Sequence, residues 1–134
     1  MGEPTPTKPF TFASCYVVVY QRLCERAKEL GYALTLHGSL HRDLDIVAIP
    51  WTDDAASSRT LAYALLEASG GYMLPMEAED AYHRMGCPDM KPHGRLVWSF
   101  YLGGKPYIDL SVMPRDPRIH EYPHYVIPSG GDDE

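Results

Sequence analysis

The chain has 134 residues, of which 45% are hydrophobic and 22% charged, with a formal net charge of −6. That length suits one packed domain rather than two, and the acidic balance argues against non-specific nucleic-acid binding, which needs a basic surface. No apolar run approaches the roughly 20 residues needed to span a bilayer, so no membrane partner is expected.

Residues 1–10, MGEPTPTKPF, are polar and proline-rich. They read as a flexible arm rather than a signal peptide. A helix is expected over 14–30, because Tyr16, Tyr20, Leu23, Ala27 and Leu30 form one apolar stripe at three-and-four spacing. Ser14 is the expected N-cap and Gly31 the stop. Val17, Val18 and Val19 are β-branched and weaken the first turn. Cys15 and Cys24 fall in this helix and are expected to be small core residues. With Cys87 they make an odd number and no CxxC, which fits a reducing cytoplasm.

A short strand is expected over 33–37, running into Gly38-Ser39. A second strand, 43–49 (DLDIVAI), ends at Pro50. Asp53 or Asp54 is the expected cap of a second helix over about 55–68, followed by Gly70-Gly71. Residues 70–93 read as a long loop with a short helix near 77–85. Residues 94–102 (GRLVWSFYL) form a strand, Gly103-Gly104 a hairpin turn, and 107–113 the returning strand. The remainder, 114–134, carries four prolines and reads as a surface tail. The order predicts a single α+β domain over 11–113, with two main helices and a small mixed or antiparallel sheet.

The chemistry is concentrated in aspartates inside apolar runs. A carboxylate in a buried strand is costly unless it is paired or bound to a metal. Strand alternation puts Asp43 and Asp45 on one face with Val47 and Ile49, and Leu44, Ile46 and Ala48 on the other. Asp109 shares a face with Tyr107 and Ser111. If the two strands are neighbours, all three carboxylates meet. Three hard oxygen ligands suit Mg²⁺ or Mn²⁺ better than zinc. Gly38 allows a backbone to approach an anion closely. The Ser39 hydroxyl and nearby N–H groups can hold phosphate oxygens, and Arg42 and His41 can add charge-assisted contacts. The bland alternative has Asp43 capping a turn, Asp45 paired with Arg42 or Arg95, and Asp109 on an exposed edge. His37 and His41 flank a turn rather than share a helix face, so they read as polar turn residues and not as a zinc pair.

Gly38-Ser39, the Asp43-x-Asp45 pair and the later Asp109 resemble the DNA polymerase beta-like nucleotidyltransferase superfamily, in its minimal forms. The resemblance covers residues 14–112. It implies a nucleotidyltransferase-like core in which Asp43 and Asp45 bind the metals that carry a nucleoside triphosphate. Asp109 would complete the site and help activate the attacking hydroxyl, and Gly38, Ser39 and Arg42 would hold the nucleotide. The implied reaction passes a nucleoside monophosphate to an acceptor, with loss of pyrophosphate. Two features depart from the pattern. Only Leu40, His41 and Arg42 separate Ser39 from Asp43, where members usually carry a longer insert, and no helical domain follows the core. The runs GSLxRDLDxVAxPW and YIDLSVMPR are also similar to small proteins of bacteriophages and prophages. The alternative function is therefore a non-catalytic module that binds a nucleotide or a protein partner.

Overall fold

Two helices and a five-stranded mixed sheet form the α+β fold of this chain, in a computed structural model that describes residues 11–71, 88–103, 106–116 and 118. The arm over 1–10, the short helix near 77–85, Gly104, Cys87 and the tail beyond 118 lie outside the described residues.

Helix α1 spans Ala13–Glu29 and buries Tyr16, Leu23 and Ala27, as the apolar stripe requires. Its N-cap is Phe12, without a side-chain cap, so the expected cap Ser14 sits inside the first turn. The Thr11 hydroxyl instead accepts from Ala13 N–H at 3.1 Å, and Phe12 N–H donates to the His41 carbonyl at 2.9 Å. Cys15 is exposed and Cys24 half-buried, both as free thiols. The expectation of two core cysteines fails for Cys15, which is not on the buried stripe. Past the helix end, Gly31 takes φ +88°, a left-handed turn that glycine adopts without a Cβ penalty.

Strand β1 (Tyr32–His37) returns antiparallel to β2 (Asp43–Pro50). Helix α2 covers Ser58–Ser69. Its cap is Ser57, whose hydroxyl accepts from Thr60 N–H at 3.1 Å. Asp53 and Asp54 lie too early in the preceding turn to do this. The stretch expected to be loop contains a short strand, β3 (Asp89–Lys91), which pairs with β4 (Arg95–Tyr101). Three residues are too few for a periodic signal, and Pro88 and Pro92 bracket them. Strand β5 (Tyr107–Val112) returns antiparallel to β4 and lies parallel to β2. The strand order is β1-β2-β5-β4-β3. A parallel pair needs a long crossover, and here α2, β3 and β4 all lie between β2 and β5 in the sequence.

The core occupies one face of the sheet. Leu44, Ile46 and Ala48 from β2, Trp98 and Phe100 from β4, and Ile108, Leu110 and Val112 from β5 join Leu61 and Leu65 of α2 and the buried stripe of α1. Each fully buried Leu, Ile, Val or Phe side chain here stabilises the fold by about 1.5–3 kcal/mol. Trp98 Nε1–H donates to the Ser58 hydroxyl at 2.7 Å, which ties α2 to the sheet. Both helices contribute to this one core, so among the described residues neither covers the opposite face, where the alternate residues of each strand project. No helix among the described residues is long and apolar enough to cross a membrane.

Candidate metal centre

The second face of the sheet carries the aspartates. In the parallel register of β2 and β5, Asp45 stands opposite Asp109 and Asp43 opposite Tyr107. Asp43, Asp45 and Asp109 each offer a carboxylate oxygen, and these oxygens lie within 4.8 Å of one another. All three residues are half-buried. The three carboxylates therefore come together close enough to hold a metal ion. β5 is an interior strand, so Asp109 is not on an exposed edge.

Neighbouring strands orient the carboxylates. Ser99 lies beside Asp109 in the β4–β5 register, and its hydroxyl donates to Asp109 Oδ1 at 2.7 Å. The Tyr107 phenol donates to Asp43 Oδ2 at 3.1 Å. Tyr16, buried in α1, reaches under this end of the sheet. Its hydroxyl donates to the Arg42 carbonyl and accepts from Tyr107 N–H at 3.3 Å. One side chain thus ties the approach to Asp43 to the start of the strand bearing Asp109.

No arginine neutralises the cluster among the described residues. Arg95 gives its guanidinium to the Ser111 hydroxyl at 3.0 Å and to the Pro92 carbonyl at 3.2 Å. Arg42 is exposed, and its backbone carbonyl accepts from the Tyr16 hydroxyl. The alternative in which Asp45 pairs with either arginine does not hold. The electrostatics are those of crowded anions. Burial, then the charges of Asp43 and Asp109, push the Asp45 carboxyl above its ordinary value, with His37 opposing. Burial also pushes Asp109 up; the Ser99 hydrogen bond pulls it down, Asp43 and Asp89 push it up, and Lys91 pulls it down. Burial and the bond to Asp43 push the Tyr107 phenol up to about 12, so it remains a donor at neutral pH.

The Gly38-Ser39 turn lies against the same cluster. Gly38 takes φ +83° and Leu40 φ +67° in the tight β1–β2 connection. A Cβ on Gly38 would stand 2.7 Å from Asp45 Oδ2, so the backbone there runs directly beside a carboxylate. The Ser39 hydroxyl accepts from His41 N–H at a long 3.4 Å, and both residues are exposed. Gly38 is thus brought to the carboxylates, while Ser39 and Arg42 are exposed in the turn and hydrogen-bond elsewhere.

Sequence reasoning missed the roles of Ser99 and Tyr16. Ser99 was legible in principle: alternation along RLVWSFY puts Arg95, Val97, Ser99 and Tyr101 on the polar face, and the hairpin sets Ser99 opposite Asp109. Tyr16 carried no such signal, because its place on an apolar stripe hides the hydroxyl's reach to the sheet. No family model, no curated protein and no solved structure matches this chain. The class that fold and site define is an α+β protein with a metal-competent carboxylate cluster on one sheet face.

Proposed function

We propose that the chain is a metal-dependent nucleotidyltransferase, which moves a nucleoside monophosphate from a nucleoside triphosphate to a hydroxyl acceptor. One observation carries the reading: carboxylate oxygens of Asp43, Asp45 and Asp109 lie within 4.8 Å of one another beside the Gly38 turn. The donor set fits a hard divalent cation, Mg²⁺ or Mn²⁺, since it is all oxygen and has no arginine partner among the described residues. Bound there, such cations supply charge neutralisation and polarise phosphoryl oxygens.

Asp43 and Asp45, two apart on one strand, would hold a cation that neutralises the triphosphate. The Gly38-Ser39 backbone, the Ser39 hydroxyl and Arg42 receive phosphate oxygens beside them. Asp109 completes the cluster and would take the proton of the attacking hydroxyl. The hydroxyl oxygen bonds to the α-phosphorus, the bond to the bridging oxygen breaks, and pyrophosphate leaves with that electron pair.

The test is calorimetric titration with Mg²⁺ or Mn²⁺ and each of ATP, GTP, CTP and UTP, followed by pyrophosphate release with candidate acceptors. Binding and release that disappear in Asp43→Asn and Asp45→Asn support the proposal. No binding of any triphosphate, with wild type indistinguishable from Asp45→Asn, overturns it. A second reading draws on the three-residue gap between Ser39 and Asp43, which leaves little backbone to wrap a triphosphate. It makes the chain a binding module without catalysis, and tight nucleotide binding with no pyrophosphate release would select it.

A further inference from the structure

The two edges of the sheet are built differently. β3 ends one side with three residues, Asp89–Lys91, between Pro88 and Pro92. Short length, charge and proline are devices that keep an edge from pairing with another chain. β1 ends the other side with six residues, YALTLH. It holds no lysine, no acid and no proline, and its register with β2 is unbroken.

The hydrogen-bond phase defines which groups β1 leaves open. Trp51 N–H donates to the Gly31 carbonyl at 2.8 Å, so these two residues begin the antiparallel ladder as a hydrogen-bonded pair. Alternation then turns the amides of Ala33, Thr35 and His37 toward β2, and those of Leu34 and Leu36 outward. The Tyr20 hydroxyl agrees with this phase. It reaches the outward Leu34 carbonyl at 3.2 Å and leaves that oxygen a second lone pair. Among the described residues, no strand pairs with this side of β1. The beginning of the strand is flanked by the segment before α2, where Tyr32 donates its hydroxyl to the Ala56 carbonyl at 2.8 Å and Ala56 N–H bonds the Leu30 carbonyl at 3.0 Å. The open stretch is therefore Leu34–Leu36.

Side chains beside that stretch carry no like charges. Helical spacing puts Val17, Gln21 and Cys24 on the flank of α1 next to Tyr20, while Arg26 lines a groove with Arg59 and Tyr63 of α2 on the other flank. Val17 is 65% exposed and Leu36 is 43% exposed. The net charge of −6 has no acidic carrier on this flank or on β1.

We infer that β1 is an interface for a second copy of this chain, joined by antiparallel β1–β1 pairing about a two-fold axis at Thr35. A second copy fits because the open groups are self-complementary in that register. Leu34 N–H meets the Leu36 carbonyl of the other copy, Leu36 N–H meets the Leu34 carbonyl, and the two-fold repeats both bonds. Thr35 faces its own equivalent, a favourable cross-strand pair. Val17 and Leu36 of each copy flank the seam on the helix side. The two sheets continue as one, with both carboxylate clusters on the same face. The inference does not depend on the nucleotidyl-transfer reading.

The experiment has two arms. Sedimentation equilibrium from micromolar to millimolar concentration compares wild type with Leu36→Lys, and thermal unfolding checks the fold of each. Wild type is expected to dimerise. Leu36→Lys is expected to raise the dissociation constant about tenfold or more, because an edge lysine blocks pairing. The second arm uses a Cys15→Ser/Cys24→Ser/Cys87→Ser background. The register sets the two Thr35 Cα atoms about 4.5 Å apart, within the range of about 4.4–6.8 Å that a disulfide spans. The two Ala33 positions stand more than about 13 Å apart. Thr35→Cys should therefore oxidise to a covalent dimer, and Ala33→Cys should not. Wild type that stays monomeric at millimolar concentration leaves the edge to a strand of another protein and overturns the inference. A dimer that folded Leu36→Lys leaves intact, or equal cross-linking through Ala33→Cys and Thr35→Cys, overturns it as well. If Leu36→Lys does not fold, the cysteine pair decides.

Discussion

Asp45 and Asp109 stand directly opposite each other on two parallel neighbouring strands, with their carboxylates turned away from the core. A parallel neighbour has to come from a distant part of the sequence, so these like charges face each other because the fold brings them together. The register itself thus concentrates negative charge on this face, and a cation is the simplest group to balance it.

The first consequence is a stability that depends on pH in the metal-free protein. The native carboxyls of Asp45 and Asp109 sit above their ordinary value, chiefly through burial. The folded state therefore holds protons that the unfolded state has released, and stability falls as pH rises from the ordinary carboxylate range, about 3.9, through the raised native values. In EDTA, Tm should decline across that window. Mn²⁺ at neutral pH should restore it, and Asp109→Asn should flatten the decline.

Gly38→Ala should damage the centre as well as the fold. The left-handed φ of +83° costs a residue with a Cβ about 1–2 kcal/mol, and that Cβ would stand 2.7 Å from Asp45 Oδ2. Calorimetry should show weaker Mn²⁺ binding in addition to a lowered Tm.

How much of this was visible in the amino-acid order differs by element. The pairing of Asp43 with Asp45 on one face followed from alternation alone, and α1, β2, β4 and β5 announced themselves by periodicity. The adjacency of β2 and β5 is a tertiary fact, because more than fifty residues separate Asp45 from Asp109 in the sequence and strand composition does not specify a neighbour. β3 stayed hidden since three residues between prolines carry no pattern. The cap of α2 was misplaced because Asp53, Asp54, Ser57 and Ser58 are all good caps, and only the backbone decides which hydroxyl reaches a free N–H.

Tyr16→Phe should loosen the centre from behind. It removes a donor to the Arg42 carbonyl and an acceptor from Tyr107 N–H, at a cost of about 1–3 kcal/mol for polar groups left unsatisfied. Amide hydrogen exchange should quicken at Tyr107, and Mn²⁺ affinity should fall although the Tyr16 hydrogen bonds go to backbone groups and not to the aspartates.

Ser58→Ala gives the contrasting case. Trp98 Nε1–H loses the 2.7 Å bond that ties α2 to β4, and stability should drop by about 1–3 kcal/mol. This bond lies on the helix side of the sheet, so Mn²⁺ affinity should be unchanged wherever the protein is folded. Denaturant unfolding and calorimetry on the same samples separate the two effects.

The central claim, that the three aspartates form a cation site, is tested most directly by anomalous diffraction from crystals soaked with Mn²⁺ and a nucleoside triphosphate. The predicted result is a Mn²⁺ peak bounded by Asp43, Asp45 and Asp109, with triphosphate density running toward Gly38 and Ser39. A fully soaked crystal with no peak at these carboxylates, or with Mn²⁺ bound only elsewhere, would contradict it.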